Sequence, residues 1–367
     1  MATGEVVNYF PGSNTCQGFY SFYEYLPHSA DLIFIIKGGP GTGKSTLLKE
    51  IGSQFRAAGY DIELHWCSSD PESLDGVVIP QLKTALMDGT APHLIDPEYP
   101  GAVEEIINLG RYWNKGLLQD YKHKIITLND VIWKCFDQAY AYLKEAKLIH
   151  DIWEEYYRES MNFQLANRRA NSLIKEIVGS REVPTEVGGE RHLFASAFTP
   201  QGAVDYFNQL TKKFAHRYVV KGRPGTGKST LTNKVAQAAR EHGFAVNYFH
   251  CSFDPDSVDL ITIPNLDAAL VDGTPPHVVE PTEKDEVIDM LEYAEWQEIN
   301  QKEEKIEATK RRYQGVMKKA EKKLSKAKEL HDQLEKYYIK AMDFSAVDGR
   351  REEIVAEICD WAGIKLE

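Results

Sequence analysis

The chain has 367 residues, 43% of them hydrophobic, and a formal net charge of −12. That length holds two domains of ordinary size, each with its own core, and the acidic balance disfavours a nucleic-acid binder, which needs clustered Lys and Arg to neutralise phosphates. The five cysteines form no CxxC pair, no apolar run reaches the length of a membrane span and the N-terminus lacks a signal-peptide layout, so a cytoplasmic protein with reduced thiols and no membrane partner is expected.

Residues 6–10 predict a strand, and Thr15 suits the N-cap of a helix running to about Tyr25. The apolar run 32–36 predicts a second strand. Directly after it, Gly38-Gly39-Pro40-Gly41-Thr42-Gly43-Lys44-Ser45-Thr46 fits the phosphate-binding pattern G-x-x-x-x-G-K-[ST] and opens a helix-compatible stretch. A strand over 62–67 ends in the turn Cys67-Ser68-x-Asp70-Pro71, and short strands are expected near 76–79 and 84–88. Strands alternating with helices indicate a parallel α/β sheet. No proline occurs between Pro100 and Pro184, so a helical segment is expected over about 102–178.

The order then repeats. Residues 31–97 align with 215–281 at a constant shift of 184, with 29 identities in 67 positions. A second glycine loop, Gly222-Arg223-Pro224-Gly225-Thr226-Gly227-Lys228-Ser229-Thr230, follows the apolar run 218–220. Cys251-Ser252-x-Asp254-Pro255 and Asp272-Gly273-Thr274-x-Pro276-His277 repeat their counterparts, the latter being Asp88-Gly89-Thr90-x-Pro92-His93. Strands at 192–197 and 246–251 and a helix capped by Thr199 repeat likewise. Downstream the register returns with a shift of 181, placing His150-Asp151, Tyr156-Tyr157 and Arg169 on His331-Asp332, Tyr337-Tyr338 and Arg350. The chain therefore reads as two copies of one α/β domain, 1–181 and 182–367, joined by the polar, turn-rich stretch near 179–190. The helical segment of the second copy covers about 283–362. Within it Tyr313, Met317, Ala320, Leu324, Ala327, His331, Leu334 and Tyr338 form a heptad seam. That seam suits either a hairpin projecting from the sheet or a helical layer lying on it.

The loop letters have physical reasons. Glycines adopt positive φ and let the backbone approach a phosphate, and successive N–H groups form an anion nest at the positive end of the following helix. Lys44 and Lys228 would place an ammonium on the β- and γ-phosphates of a nucleoside triphosphate, and Ser45 and Ser229 a hydroxyl on Mg²⁺. Arg223 stands where the first loop has Gly39 and is expected to point outward.

Phosphoryl chemistry also needs a carboxylate near the metal, a group that orients or deprotonates the nucleophile, and positive charge on the γ-phosphate. Asp88 and Asp272 close apolar strands and fit the metal carboxylate; an Asp-Gly turn is the structural alternative. Asp70 and Asp254 end another strand and could position water, act as base or share the metal, or simply cap an Asp-Pro turn. His93 and His277 could sense the γ-phosphate or cap a turn. Arg169 and Arg350 could close over the phosphates, in cis or across the copies, or serve structure alone. Cys67 and Cys251 read as buried small residues.

These motifs, with DGTAPHLIDP, PGAVEEIINLG and HLFASAFTPQG, resemble a bacterial family of tandem P-loop ATPases over nearly the whole chain. The resemblance implies ATP as cofactor with Mg²⁺, and hydrolysis; it names no substrate. One departure separates the copies: DPEYPGAVEEI in the first stands against EPTEKDEVIDM in the second. The leading functional expectation is an ATPase whose two nucleotide domains form an intramolecular pseudo-dimer and signal to a protein partner through the helical segments. A kinase for a nucleotide or other hydroxyl acceptor, and a non-catalytic nucleotide sensor or scaffold, are the alternatives.

Overall fold

The computed structural model describes residues 3–27, 29–92, 94–179, 181–275 and 279–366. The first copy contains strands β1 (Val6–Tyr9), β2 (Gly12–Thr15), β3 (Gly18–Ser21) and β4 (Leu32–Lys37), then helix α1 (Lys44–Ala57). Strands β5 (Ile62–Trp66), β6 (Leu74–Ile79), β7 (Thr84–Asp88) and β8 (Glu104–Asn108) follow, then helices α2 (Lys115–Asp120), α3 (Lys122–Arg158) and α4 (Phe163–Ile177). The second copy repeats this as β9 (Glu190–Phe194), β10 (Ser196–Thr199), β11 (Gly202–Asp205), α5 (Phe207–Thr211), β12 (His216–Lys221) and α6 (Lys228–Glu241). It continues with β13 (Val246–His250), β14 (Val258–Ile263), β15 (Ala268–Asp272), β16 (Glu286–Asp289), α7 (Trp296–Gln301), α8 (Glu303–Ala341) and α9 (Phe344–Ala362).

Each copy builds one six-stranded sheet, ordered β1-β5-β6-β7-β4-β8 in the first and β9-β13-β14-β15-β12-β16 in the second. The expectation of a wholly parallel sheet is corrected. β6 runs antiparallel to β5 and β7, and β14 antiparallel to β13 and β15. The physical reason is connection length: the turn Pro80–Leu82 and the Cys67–Ser73 turn are too short for a parallel crossover, which needs a dozen or more residues. β8 and β16 lie inside the segments expected to be helical; both are edge strands parallel to the glycine-loop strand, joined to the long helices by a 3₁₀ turn.

The helices expected after Thr15 and Thr199 are also corrected: both threonines close β-hairpins. Thr15 Oγ1 donates to Gly18 O (2.9 Å) and Thr199 Oγ1 to Gly202 O (2.8 Å), while Gly18 and Gly202 take φ of 101° and 95°. That positive φ suits a tight hairpin and ends any helix there. Only the far ends of the expected helices survive, as a 3₁₀ turn (Tyr23–Tyr25) and as α5.

The two copies meet about a pseudo-two-fold axis. Phe10 and Phe194, equivalent under the repeat, exchange backbone hydrogen bonds of 3.0 Å each way, the signature of an isologous contact. Asn14 Nδ2 donates to Phe198 O (2.9 Å), and Arg191 grips Glu63 with two bonds of 3.0 and 2.7 Å. Burial alone would push the Glu63 carboxyl up; Arg191 overrides it and holds the group well below the usual range.

The long helices then tie the copies together. α3 and α8 have 37 and 39 residues and run antiparallel along each other for about 55 Å. Ile132, Cys135, Ala139, Leu143, Ala146 and Ile149 of α3 bury against Val316, Ala320, Leu324, Ala327, Leu330 and Leu334 of α8. The heptad seam is therefore real, but its partner is the other copy's helix rather than a second arm of a hairpin. At each end the chain crosses over: Asn114 N donates to Ala341 O and Asn162 N to Tyr293 O, both 2.8 Å. Ala166, Ala170, Leu173 and Ile177 of α4 consequently join the core of the second sheet, beside Leu231 and Val235. Val347, Ile354 and Ile358 of α9 join the core of the first, beside Leu47 and Leu48. On one face of each sheet, the other copy's terminal helix packs beside the sheet's own glycine-loop helix.

Two candidate phosphate cradles lined by both copies

β4 ends at Lys37 and the glycine loop turns at the carboxyl edge of the sheet, where ligands bind in open α/β folds. Gly41 and Gly43 have φ of 67° and 91°, and Gly225 and Gly227 have 81° and 88°, so both loops use the left-handed region that glycine permits. Thr42 Oγ1 donates to Gly39 O and Thr226 Oγ1 to Arg223 O, each 2.8 Å, bracing the curve from inside. Lys44 Nζ lies 2.9 Å from Gly39 O, 3.2 Å from Gly38 O and 3.6 Å from Asp88 Oδ2. Lys228 repeats this with Gly222 O and Arg223 O at 3.2 Å and Asp272 Oδ2 at 3.6 Å. Pro40 and Pro224 are half-buried, Thr46 and Thr230 begin the exposed flank of the helices, and Arg223 is exposed as expected.

Asp88 and Asp272 both form the Asp turn, and both also face the loop lysine. Asp88 Oδ1 accepts from Thr90 N (2.8 Å) and Asp272 Oδ1 from Thr274 N (2.9 Å). The antiparallel register brings a second acid that the sequence reading passed over: Gly76 pairs with Met87 and Leu260 with Val271, so Asp75 stands opposite Asp88, and Asp259 opposite Asp272. Asp75 is 5% and Asp88 9% exposed. Burial pushes the Asp75 and Asp259 carboxyls up to about 7, against the pull of Lys44 and Lys228, and raises Asp88 and Asp272 as well. Tyr23 donates its hydroxyl to Asp75. Cys67 is half-buried and also bonds Asp75; burial drives its thiol well above the ordinary value. Ser45 Oγ accepts from Leu74 N and Ser229 Oγ from Val258 N, each 3.0 Å, next to the buried acids. A hydroxyl and two carboxylates around one lysine are hard oxygen donors of the kind Mg²⁺ takes.

Asp70 caps its turn, accepting from Ser73 Oγ (2.8 Å), and Asp254 does so from Asp256 N (3.3 Å). Each also meets a lysine of the other copy: Lys328 Nζ is 3.5 Å from Asp70, and Lys147 Nζ is 3.3 Å from Asp254. These lysines belong to a ridge along the long helices that spans both cradles. In the first, the Tyr338 ring and the Glu335 carbonyl lie against Gly39 and Gly41; in the second, the Glu154 carbonyl lies against Gly225. Phe344 and Phe163 close on Gly43 and Gly227. His150 stands between Lys147 and Glu154; burial, then Lys147 and Lys228, push its ring down to about 4. His150, Asp151 and Glu154, and likewise His331, Asp332 and Glu335, bring one ligand atom each within 4.8 Å of the others.

The arginine candidates lie elsewhere. Arg169 is ion-paired to Glu286 and stands 3.8 Å from Glu176; Arg350 bonds Glu105 (2.6 Å), Glu357 (2.7 Å) and Glu353 (2.9 Å). Glu286 pairs in register with Tyr218, four residues before Gly222, or about 13 Å along the strand. Of the two readings of these arginines, the contacts favour the structural one: they fasten the exchanged helices to the sheet edges. His93 and His277 lie outside the described residues. Among the described residues no helix is long and apolar enough to cross a membrane. Compared with known proteins, the chain matches no family model, no curated protein and no solved structure, so its reading rests on its own residues.

Proposed function

We propose that the chain is a Mg²⁺-dependent ATPase with two nucleotide sites in an intramolecular pseudo-dimer, one at each glycine loop. The observation that carries this reading is the meeting, twice in one chain, of a loop Lys-Ser pair with two aspartates at one edge of a sheet, Asp75, Asp88 and Asp259 buried and Asp272 half-buried. Buried acids facing each other are costly unless a cation neutralises them, and Asp75 with Asp88, or Asp259 with Asp272, would hold Mg²⁺ together with Ser45 or Ser229. Bound Mg²⁺ supplies charge neutralisation on the phosphates.

The chain's own groups divide the remaining work. The loop N–H groups and Lys44 or Lys228 bind the polyphosphate. Asp70 and Asp254, at the rim, position water. ATP rather than GTP is taken as the nucleotide because the chain lacks an N-K-x-D motif. The α3–α8 pair touches both cradles and transmits the state of the nucleotide to a protein partner as movement of the helices. Phosphate release from MgATP, with no acceptor added, tests the reading: the double variant Lys44→Ala/Lys228→Ala should lose turnover. Turnover only after a hydroxyl compound is supplied would make the protein a kinase, and wild-type turnover in the double variant would end the proposal.

A further inference from the structure

The geometry points to a second cation at each cradle that comes from the opposite copy: Lys147 contacts the γ-phosphate held by the second glycine loop, and Lys328 the γ-phosphate held by the first. This inference rests on the reading of the glycine loops as MgATP sites and adds which residues complete them.

The path of α3 carries the argument. Its Glu154 carbonyl lies against Gly225 in the second loop, and Phe163, just beyond its end, lies against Gly227. Two turns back along the same helix face, about 10 Å away, Lys147 reaches Asp254 at 3.3 Å. The turn bearing Asp254 is itself anchored beside the loop, because Val258 N donates to Ser229 Oγ (3.0 Å) and Ser257 N to Asp254 O (2.9 Å). The helix thus passes over the loop glycines and delivers its lysine where a phosphate chain running outward from Lys228 and Ser229 would end. α8 does the same over the first loop, with the Glu335 carbonyl at Gly41 and Lys328 3.5 Å from Asp70.

The chemistry asks for such a group. A γ-phosphate brings negative charge into a cradle already lined by buried acids, and stabilising it takes more than the loop lysine. The recurring arginines are held by sheet-edge glutamates. Lys147 is 26% exposed, on a flexible four-carbon stem, and is held by Asp254 and Asp151; Lys328 is held by Asp70 and Asp332. Exchange of a carboxylate for a phosphate oxygen needs only side-chain rotation. Each active cradle then requires the other copy to be docked, and the phosphate state of one site bears directly on the helix that serves it.

Calorimetry with MgATP and MgADP on single-site backgrounds tests this. Lys44→Ala leaves the second cradle to be measured, and Lys228→Ala the first. Adding Lys147→Gln to Lys44→Ala should weaken MgATP roughly ten-fold or more, the size of one charge-assisted hydrogen bond, while MgADP changes less than about three-fold. Adding Lys328→Gln to Lys228→Ala should do the same, and arginine in place of either lysine should restore most of the loss. Equal weakening of ATP and ADP, no weakening at all, or the reverse pairing, in which Lys147→Gln weakens the cradle of its own copy, overturns the inference while leaving the nucleotide reading standing. Absence of MgATP binding in the unmodified protein overturns both. The urea midpoint of each variant, expected to shift little from its background for a surface ion-pair lysine, separates lost contact from lost fold.

Discussion

Gly41 and Gly225 occupy the same place in the repeated loop, yet alanine should harm the second far more than the first. Both have positive φ, 67° and 81°, and an alanine there costs about 1–2 kcal/mol from the left-handed backbone alone. The difference comes from the opposite copy. At Gly41 a methyl would meet Glu335 O at 3.0 Å and two side-chain atoms, Ile339 Cγ1 at 3.0 Å and Glu335 Cβ at 3.1 Å, which can shift by a few tenths of an ångström. At Gly225 it would overlap the Glu154 carbonyl, with the carbon at 2.8 Å and Cα at 2.9 Å, all backbone of a helix that cannot rotate away. Forcing α3 off the loop adds the cost of overpacking, about 1–3 kcal/mol. Gly225→Ala should therefore lower stability by about 2–5 kcal/mol, and Gly41→Ala by about 1–2 kcal/mol. Urea unfolding with a common slope reads the two values. Equal losses, within about 0.5 kcal/mol, would mean that α3 does not rest on the second loop, and the composite cradle would fall.

The buried acid predicts a pH signature. The folded-state carboxyl of Asp75 sits near 7 against an ordinary 3.8, so the folded state holds its proton longer and wild type loses stability as pH rises from about 4 to about 7. Asp75→Asn should melt above wild type at pH 8, with the gap shrinking towards pH 5, and should abolish the Mg²⁺ dependence of nucleotide binding; a gap independent of pH would refute the buried charge. Leu143, fully buried in the α3–α8 seam, should cost about 2–5 kcal/mol as alanine, read by urea unfolding, whereas a projecting unpaired helix would lose almost nothing. Arg191→Ala leaves the half-buried Glu63 at the junction of the copies with His65, at 3.4 Å, beside it and should cost about 2–4 kcal/mol in the same assay.

The loops, the duplication and most core strands were legible because each is written in local chemistry: glycine with Lys-Ser, apolar runs, and identities at fixed spacing. The hairpins after Thr15 and Thr199 were missed because an N-cap threonine and a turn threonine look alike until the glycine three residues on is given its positive φ. The exchange of helices was not legible for a deeper reason. Two copies of similar apolar pattern offer the seam of α8 alternative partners, and only chain geometry decides that Leu324 packs beside Leu143 of the other copy. The missed site residues did leave a signal. Asp75 and Asp259 match at the shift of 184, and Lys147, His150 and Glu154 match Lys328, His331 and Glu335 at 181. Reading every repeated polar residue as a candidate, rather than those next to known motifs, would have found them.

Binding stoichiometry tests the central claim most directly. Titration calorimetry with MgATP should give two sites per chain, one in Lys44→Ala, one in Lys228→Ala and none in the double variant. Heat that survives unchanged in the double variant, or none in the unmodified chain, would contradict it.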